Sequence, residues 1–374
     1  MNHANTHPQP ISPIPIAMPK RPLWAIVGLL LLSLSSCKVE FNPNAPWKDM
    51  PDVYCVIDPE EDTVWARVQR CYLGNDNLYS YASIKDSNYY ASDELSVYLM
   101  AWKSVFEDGA MLPSNILVDK WQLDYTERDG KPEGAFPAGK QPLYYCVPGK
   151  RLKADTSCVF QLVVVKNKTG DTLASAYTTL VGFQEPTIRG RDTTEVVLVT
   201  PNSAIAQEFG FRVGCRGTIR WNTVPRGRLY QPIITFYYRK NGDTLSIDIP
   251  CSTVLNSYDY NILTRSISQE RFLSIIKRRL EDNTDTLFFV NHVSISILTC
   301  NEDLNAYMTS HNNNLTVMGQ EYQAYSNIEG GVGVFGSRRT HIRVRVPCDS
   351  IGTPSPGYLD YELNNLGVGF YGNF

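Results

Sequence analysis

The sequence predicts a mostly β protein: an Ig-like β-sandwich N-terminal domain followed by a second β-rich (α+β) domain with one or two short helices. Three observations predict this fold class. Short runs rich in β-branched and aromatic residues recur between turn signals, helical periodicity is confined to two segments, and tyrosine is frequent, with 22 among 374 residues. Many short strands separated by turns are typical of sandwich packing.

Composition narrows the class of protein. Hydrophobic residues make up 43% of the chain, which is enough for a sizeable core and argues against a disordered protein. The formal net charge of -3 lacks the basic excess that is typical of nucleic-acid-binding proteins. We therefore expect a folded protein with no nucleic-acid partner.

The first 36 residues are predicted to be a lipoprotein signal peptide. Lys20 and Arg21 precede an apolar run, Leu23 to Leu34, that ends in small residues. This order is typical of a secretory signal, and the run is shorter than the roughly 20 residues that a membrane-spanning helix needs. The ending Leu-Ser-Ser-Cys resembles a bacterial lipobox, which predicts cleavage between Ser36 and Cys37 and lipidation of Cys37. The alternative is a short apolar segment with an incidental cysteine.

Two further N-terminal segments are set apart from the fold. Residues 1–17 are Pro-rich and are predicted to be a start-site extension. Translation from Met18 would place Pro-Lys-Arg directly between the first residue and the apolar run, as in a compact signal peptide. Residues 37–52 are predicted to be a lipidated tether, Pro- and Asn-rich, that holds the folded part away from the membrane. Buried acyl chains stabilise such an anchor by roughly 0.8 kcal/mol per CH₂.

The first predicted domain covers residues 53–185. It begins with a hairpin, in which strands at 53–57 and 63–69 flank a Pro-containing turn and Val64, Ala66 and Val68 share one face. Further strands are predicted at 94–102, 116–125, 143–147, 159–166 and 172–181. The pattern breaks at Gln184-Glu185-Pro186, which marks the domain boundary.

The second predicted domain covers residues 190–348 and contains the two helices. Strands are predicted at 195–199, 208–213, 218–222, 233–239, 244–249, 286–298 and 341–346, with an Asn-Gly turn at 240–243. A capping box, Ser266-x-x-Gln269, predicts a helix near 269–280, and Asn301 is predicted to cap a helix near 302–309. Residues 349–374 form a Gly/Tyr/Asn-rich C-terminal tail.

Cysteine usage leaves two interpretations open. Eight cysteines follow Cys37, and an even number in an exported protein is compatible with disulfides. Buried free thiols that act as small hydrophobes explain the same residues. No C-x-x-C pair occurs, which disfavours zinc ribbons and thioredoxin-type redox sites.

No catalytic, metal or cofactor site is predicted. His292, His311 and His341 lack metal-ligand spacing, and no G-x-S-x-G elbow is present. The glycines of Gly331–Gly336 match G-x-G-x-x-G, but a strand follows where a dinucleotide site needs a helix. We therefore interpret the run as a glycine-rich turn that needs positive φ or close backbone approach. The protein is predicted not to be an enzyme.

A polar, tyrosine-containing stretch is a candidate recognition loop. Tyr79, Tyr81, Tyr89 and Tyr90 lie among Ser and Asn residues, a composition that suits adaptable binding surfaces. The alternative is a long sandwich loop whose tyrosines pack on the rim of the core.

Asp followed by Thr or Ser and then an aliphatic residue or Thr recurs six times. The recurrence resembles the O-glycosylation sequon of exported Bacteroidota proteins and predicts modification of six hydroxyls, at Thr63, Thr172, Thr193, Thr244, Thr286 and Ser350. Turn chemistry explains the same pattern, because Asp ends turns and Thr favours strands.

The segment 325–336 carries a family resemblance. Its Asn-Ile-Glu-Gly-Gly-Val-Gly-Val-Phe-Gly sequence resembles the closing motif of a Bacteroidota outer-membrane lipoprotein family, domain of unknown function 4249; the motif residues are Asn327, Gly330, Gly331, Gly333, Phe335 and Gly336. The resemblance covers residues 37–348 at the domain level. It implies an outer-membrane setting, on the periplasmic or surface-exposed face, often beside a TonB-dependent transporter. It supplies no catalytic residues.

Three functions follow as expectations. The first is a lipid-anchored outer-membrane or cell-surface binding or accessory protein, partnering a TonB-dependent uptake system. The second is a structural or adhesive surface protein that anchors pili, which needs an open sheet edge. The third is a polysaccharide or peptide hydrolase, which for glycosidic bonds needs two carboxylates at a defined separation.

Overall fold

A computed structural model describes residues 48–71, 78–131, 134, 138–149, 157–182, 197–198, 209, 211, 217–258, 261–312, 324–348 and 358–371. The chain from Trp47 to Phe374 forms one compact unit. It is mostly β, with 55% strand and 14% helix, which confirms the predicted class. The signal peptide, Cys37 and most of the tether lie outside the described residues, and so does most of the predicted strand at 208–213.

Fifteen strands occur in the described part of the chain. The first seven are β1 (Pro51–Ile57), β2 (Val64–Arg70), β3 (Leu95–Glu107), β4 (Ala110–Lys131), β5 (Gly139–Cys146), β6 (Cys158–Lys166) and β7 (Thr172–Thr179). The other eight are β8 (Val197–Leu198), β9 (Gly217–Asn222), β10 (Leu229–Lys240), β11 (Asp243–Pro250), β12 (Val254–Leu255), β13 (Ile262–Ile267), β14 (Leu287–Cys300) and β15 (Val332–Pro347).

Five short helices occur in the same residues: α1 (Leu78–Ala82), α2 (Lys85–Asn88), α3 (Gln269–Arg279), α4 (Glu302–Asn312) and α5 (Leu359–Asn364). Helices α3 and α4 lie where the sequence predicts them. The predicted capping box of α3 is wrong, because Ser266 belongs to β13 and Ser268 caps the helix by accepting a hydrogen bond from the Arg271 amide (3.3 Å). Asn301 caps α4 as predicted, accepting from the Leu304 amide (3.2 Å).

One sheet of 12 strands runs through both predicted domains. Its order is β11-β10-β14-β15-β1-β2-β5-β4-β3-β6-β7, with β12 beside β10. Strand β1 lies parallel to β15 on one side, from Asp52 opposite Val332 to Ile57 opposite Ser337, and antiparallel to β2 on the other. A second sheet contains β13, β9 and β8. The division at 185–190 stays a prediction.

Two hydrophobic cores lie on the sheet. The first collects inward side chains of β1–β7, such as Val53, Leu99 and Phe160, and adds Ile328 and Phe335 from the C-terminal half. The second packs β10, β11 and β14 against α3, through residues such as Phe236 and Phe272, and includes Leu363 and Phe370 of the predicted tail. Burying one such side chain contributes about 1.5–3 kcal/mol, so both cores stabilise the sheet.

The glycine motif lies at the start of β15, where strands crowd together. Gly330 has φ +79° and Gly333 has φ +114°, and a Cβ on Gly333 would lie 2.0 Å from the Val53 carbonyl oxygen. Gly331 and Gly336 also face close neighbours, the Pro51 carbonyl and Leu304. The predicted need for positive φ and close approach is confirmed. The prediction of a turn over Gly331–Gly336 is wrong from Val332 onward, because those residues pair with β1.

Five described cysteines are free thiols, namely Cys55, Cys71, Cys146, Cys251 and Cys300. All except Cys71 are buried, and burial raises the pKa of Cys251 and of Cys300 to about 11. These thiols pack as small hydrophobes, which is the second of the two interpretations that the sequence leaves open.

A cluster of charged residues binds the segment just before β1 to the rest of the fold. The Asp49 carboxylate accepts hydrogen bonds from the Tyr90 hydroxyl (2.8 Å) and from the Lys166 ammonium. Arg70 lies over the Tyr90 ring, 4.4 Å from its centroid, and binds Glu94 at 2.5 Å. Burial acts to raise the pKa of Asp49, but the hydrogen bonds and the charges of Lys166 and Arg70 outweigh it and lower that pKa below its ordinary value.

We expect Asp49→Asn to reduce the free energy of unfolding by about 2 kcal/mol at pH 7. A carboxyl whose pKa is lowered by folding stabilises the protein above its unfolded pKa, and this contribution is lost as pH falls through the folded pKa. The difference from the wild type should therefore shrink toward about pH 3. Urea unfolding at both pH values measures it. Asp93→Asn, at an exposed site, is the control, and a difference that stays constant with pH would contradict the expectation.

Candidate functional site

A cleft of about 710 Å³ lies on the outer face of the sheet, beside helix α4. We call it the α4 cleft. Its floor comes from Asp52 of β1, from Arg67 and Gln69 of β2 and from the start of β15, and its wall comes from Tyr307 and His311 of α4 and from residues 324–326. The volume lies within the range of about 300–1,000 Å³ that is usual for small-molecule sites.

Strand alternation places the polar residues of the floor. In β1, Val53 and Cys55 face the first core, so Asp52 and Tyr54 face outward. In β2, Ala66 and Val68 face the same core, so Arg67 and Gln69 face outward. The register sets Asp52 opposite Gln69 and Tyr54 opposite Arg67, which makes Asp52 and Arg67 diagonal neighbours on one surface.

Helix α4 brings an aromatic wall to this floor. Tyr307 and His311 are four residues apart, so they share one helix face, and their ring centroids lie 4.0 Å apart. The Tyr54 ring meets the Tyr307 ring edge-on at 6.2 Å. The His311 ring nitrogen Nδ1 lies 2.8 Å from the Tyr307 carbonyl oxygen. The rings therefore hold one another in place.

The remaining wall is fixed to the first turn of α4. The Tyr325 hydroxyl donates to Asp303 (2.9 Å), and the Thr178 hydroxyl donates to the other oxygen of the same carboxylate (2.9 Å). The Ser310 hydroxyl oxygen accepts from the Tyr325 amide (3.0 Å). Burial raises the pKa of Asp303, although these hydrogen bonds act to lower it. Hydrogen bonds within the fold therefore hold this wall of the cleft in place.

Two opposite charges in the cleft form no hydrogen bond or ion pair with another side chain of the described residues. The Arg67 guanidinium lies 5.6 Å from the centroid of the Tyr54 ring, and its buried Nε has no hydrogen-bond partner among those residues. No hydrogen bond or ion pair joins the Asp52 side chain to the part of the chain that the structure describes. Burial raises the pKa of Asp52, while the charges of Arg67 and His311 act to lower it.

A second cleft, of about 520 Å³, lies near β9 and β12, and its two guanidinium groups already bind groups of the fold. Arg228 binds Glu302 at 2.7 Å and donates to the Asn256 carbonyl at 2.5 Å. Arg226 donates to the Leu180 carbonyl at 2.6 Å. Because these guanidinium groups are used within the fold, the α4 cleft is the stronger candidate for a binding site.

Two of the four tyrosines of the predicted recognition loop are buried. Tyr89 and Tyr90 are buried, at 6% and 2% exposure, and follow α2 into the first core region. Tyr81 is half-buried in α1, and the side chain of Tyr79 lies outside the described residues. The alternative interpretation, tyrosines packed against the core, therefore fits Tyr89 and Tyr90.

Four of the six predicted glycosylation positions are described, and they lie where turns meet strands. Thr172, Thr244 and Thr286 are exposed, and Thr63 is half-buried just before β2. Thr193 and Ser350 lie outside the described residues. Turn chemistry accounts for the four described positions, and their glycosylation stays a prediction.

Asp52, Arg67 and Tyr307 are site residues that the sequence does not predict. The signal available was the polar face of the first predicted hairpin, together with the i, i+4 spacing of Tyr307 and His311. Nothing in the sequence indicates that these two surfaces meet, because the contact depends on the pairing of β1 with β15.

Comparisons with known proteins give no match: no protein-family model and no curated protein matches the sequence. The family resemblance of residues 325–336 therefore rests on that segment and stays a prediction. Within the described residues, no cluster of three or more His, Cys, Asp or Glu could hold a metal ion. No described helix has the length and apolar character that crossing a bilayer requires.

Proposed function

We propose that the protein is a lipid-anchored, non-catalytic binding protein of the outer membrane or cell surface that captures a ligand in the α4 cleft. The observation that carries the proposal is a cleft with fixed walls in which two opposite charges, Asp52 and Arg67, form no hydrogen bond or ion pair with side chains of the described residues. Burying a charge without a partner is costly, so such groups are typical of sites that an external molecule completes.

The lipid anchor is the second part of the proposal. It is supported by the lipobox-like Leu-Ser-Ser-Cys at residues 34–37 and by the Pro/Asn-rich tether behind it. The resemblance of residues 325–336 to an outer-membrane lipoprotein family supports the same location and suggests a TonB-dependent transporter as partner. In this arrangement the bound ligand is handed to the transporter.

Mass spectrometry of the membrane fraction tests the anchor. The wild-type chain should begin at an acylated Cys37, and Cys37→Ala should accumulate as an unprocessed precursor. Ser36→Ala is the matched control, because alanine keeps a small residue before the cleavage point and should be processed normally. Normal processing of Cys37→Ala would refute the lipobox.

Co-purification tests the accessory role. After gentle detergent solubilisation, the affinity-tagged protein should bring down a TonB-dependent transporter. The comparison is a Cys37→Ala chain, which should not reach the same membrane. Recovery of the wild-type protein alone would contradict the partnership but would leave the lipid anchor standing.

One observation favours the structural or adhesive alternative. Among the described strands, β4 pairs only with β3 along Ala110–Leu123, since its pairing with β5 begins at Asp124. Leu112, Ile116 and Leu117 are exposed on this stretch. An open edge of this kind accepts an added strand from a partner. Loss of surface appendages on deletion would support this role, and unchanged appendages and attachment would exclude it.

A further inference from the structure

The side chain of Arg67 binds no carboxylate of the described chain, unlike three other buried or half-buried arginines. Arg70 binds Glu94 at 2.5 Å, Arg228 binds Glu302 at 2.7 Å and Arg339 binds Glu60 at 3.0 Å. A guanidinium has five donors and no acceptor, and it stays charged in proteins. Arg67 is left with donors that no carboxylate of the described chain uses, so the cleft offers a cationic position to a ligand.

The carboxylate of Asp52 feels the charge of Arg67, but no hydrogen bond or ion pair joins the two side chains. The two residues are diagonal across β1 and β2, positions that lie roughly 7–8 Å apart in a β-ladder. The guanidinium lies over the Tyr54 ring, and the Tyr54 ring contacts the Tyr307 ring. Each charged group can therefore still bind a group of a ligand.

We propose that the α4 cleft binds a short peptide that has both free termini. The peptide carboxylate is held by the guanidinium of Arg67, because this group binds carboxylates with paired hydrogen bonds. The peptide ammonium is held by the carboxylate of Asp52, and apolar side chains of the peptide contact the rings of Tyr54 and Tyr307. The inference rests on the proposed function, since it names the ligand class of the same cleft.

Calorimetric titration of the detergent-solubilised, acylated protein tests this ligand class with three matched probes. The probes are alanyl-phenylalanine, its N-acetyl form, which lacks the ammonium, and its C-terminal amide, which lacks the carboxylate. The wild type should bind the free dipeptide at least about tenfold more tightly than either blocked form, because each block removes one buried charge contact.

Two substitutions test which charged residue of the cleft binds which terminus of the peptide. Arg67→Gln should bind the dipeptide and its amide equally weakly, because the position that distinguishes them is lost. Asp52→Asn should bind the dipeptide and its N-acetyl form equally. Arg278→Gln and Asp282→Asn, both exposed and outside the cleft, should keep the wild-type preference.

The inference is overturned if the wild type binds none of the probes, if it binds all three with the same Kd, or if Arg67→Gln keeps the full preference. Should either cleft variant fail to fold, the three-probe comparison on the wild type decides alone. Failure here leaves the acylation and co-purification experiments unaffected, because neither depends on the identity of the ligand.

Discussion

Replacing Gly333 by alanine is expected to lower the free energy of unfolding by more than about 3 kcal/mol. The reason is twofold. At φ +114° an L side chain is strained, and the added Cβ would lie 2.0 Å from the Val53 carbonyl oxygen. That atom belongs to β1, so relief of the overlap requires β1 and β15 to separate. Urea unfolding followed by tryptophan fluorescence measures the loss.

Gly109→Ala is the matched control for Gly333→Ala. Gly109 also has positive φ, at +80°, but a Cβ there would have no neighbour within 4 Å. The control therefore reports strain alone, about 1–2 kcal/mol. Equal losses in the two variants would show that the backbone of β1 can move away at little cost, contrary to the close pairing described here.

Replacing Asn301 by alanine is expected to cost about 3 kcal/mol of unfolding free energy. The Asn301 side chain is buried and accepts hydrogen bonds from the amides of Leu304 (3.2 Å) and Ser337 (3.1 Å). Its amide group donates to the Thr178 hydroxyl (2.8 Å). Alanine leaves two buried N–H groups without this partner, while the backbone hydrogen bond from residue 301 to the Ser337 carbonyl (3.0 Å) remains.

Ser268→Ala provides the comparison for Asn301→Ala. Ser268 caps α3 through one exposed hydrogen bond, so its loss should cost only about 1 kcal/mol. Thermal and urea unfolding of the two variants should differ accordingly. If both lose the same amount, the additional bonds of Asn301 contribute nothing to stability.

Local patterns were sufficient for much of the fold. The β1–β2 hairpin follows from alternation, and α3 follows from Phe272, Ile276 and Leu280 recurring at helical spacing, all of which are buried. Strand β13 was missed, because its Ser266 was interpreted as a helix cap. The sequence does not predict the start of β15, because its Gly333 is required by Val53 of β1, which lies far away in the sequence.

The candidate site could not be predicted in the same way. Its two halves, the outer face of β1 and β2 and the last turns of α4, are each ordinary amphipathic surfaces when considered alone. Only the packing of α4 on β15 brings Tyr307 to Tyr54 and sets His311 beside the charges of Asp52 and Arg67. Such long-range contacts carry no local signal in hydrophobic periodicity.

The parallel pairing of β1 with β15 has a consequence for biogenesis. About 280 residues separate the two strands, so one edge of β1 has no neighbour until most of the polypeptide has been synthesised. An unpaired edge is a template for aggregation. We expect the nascent chain to depend on a holding chaperone until β15 is available, and a truncation before Val332 to remain chaperone-bound rather than mature.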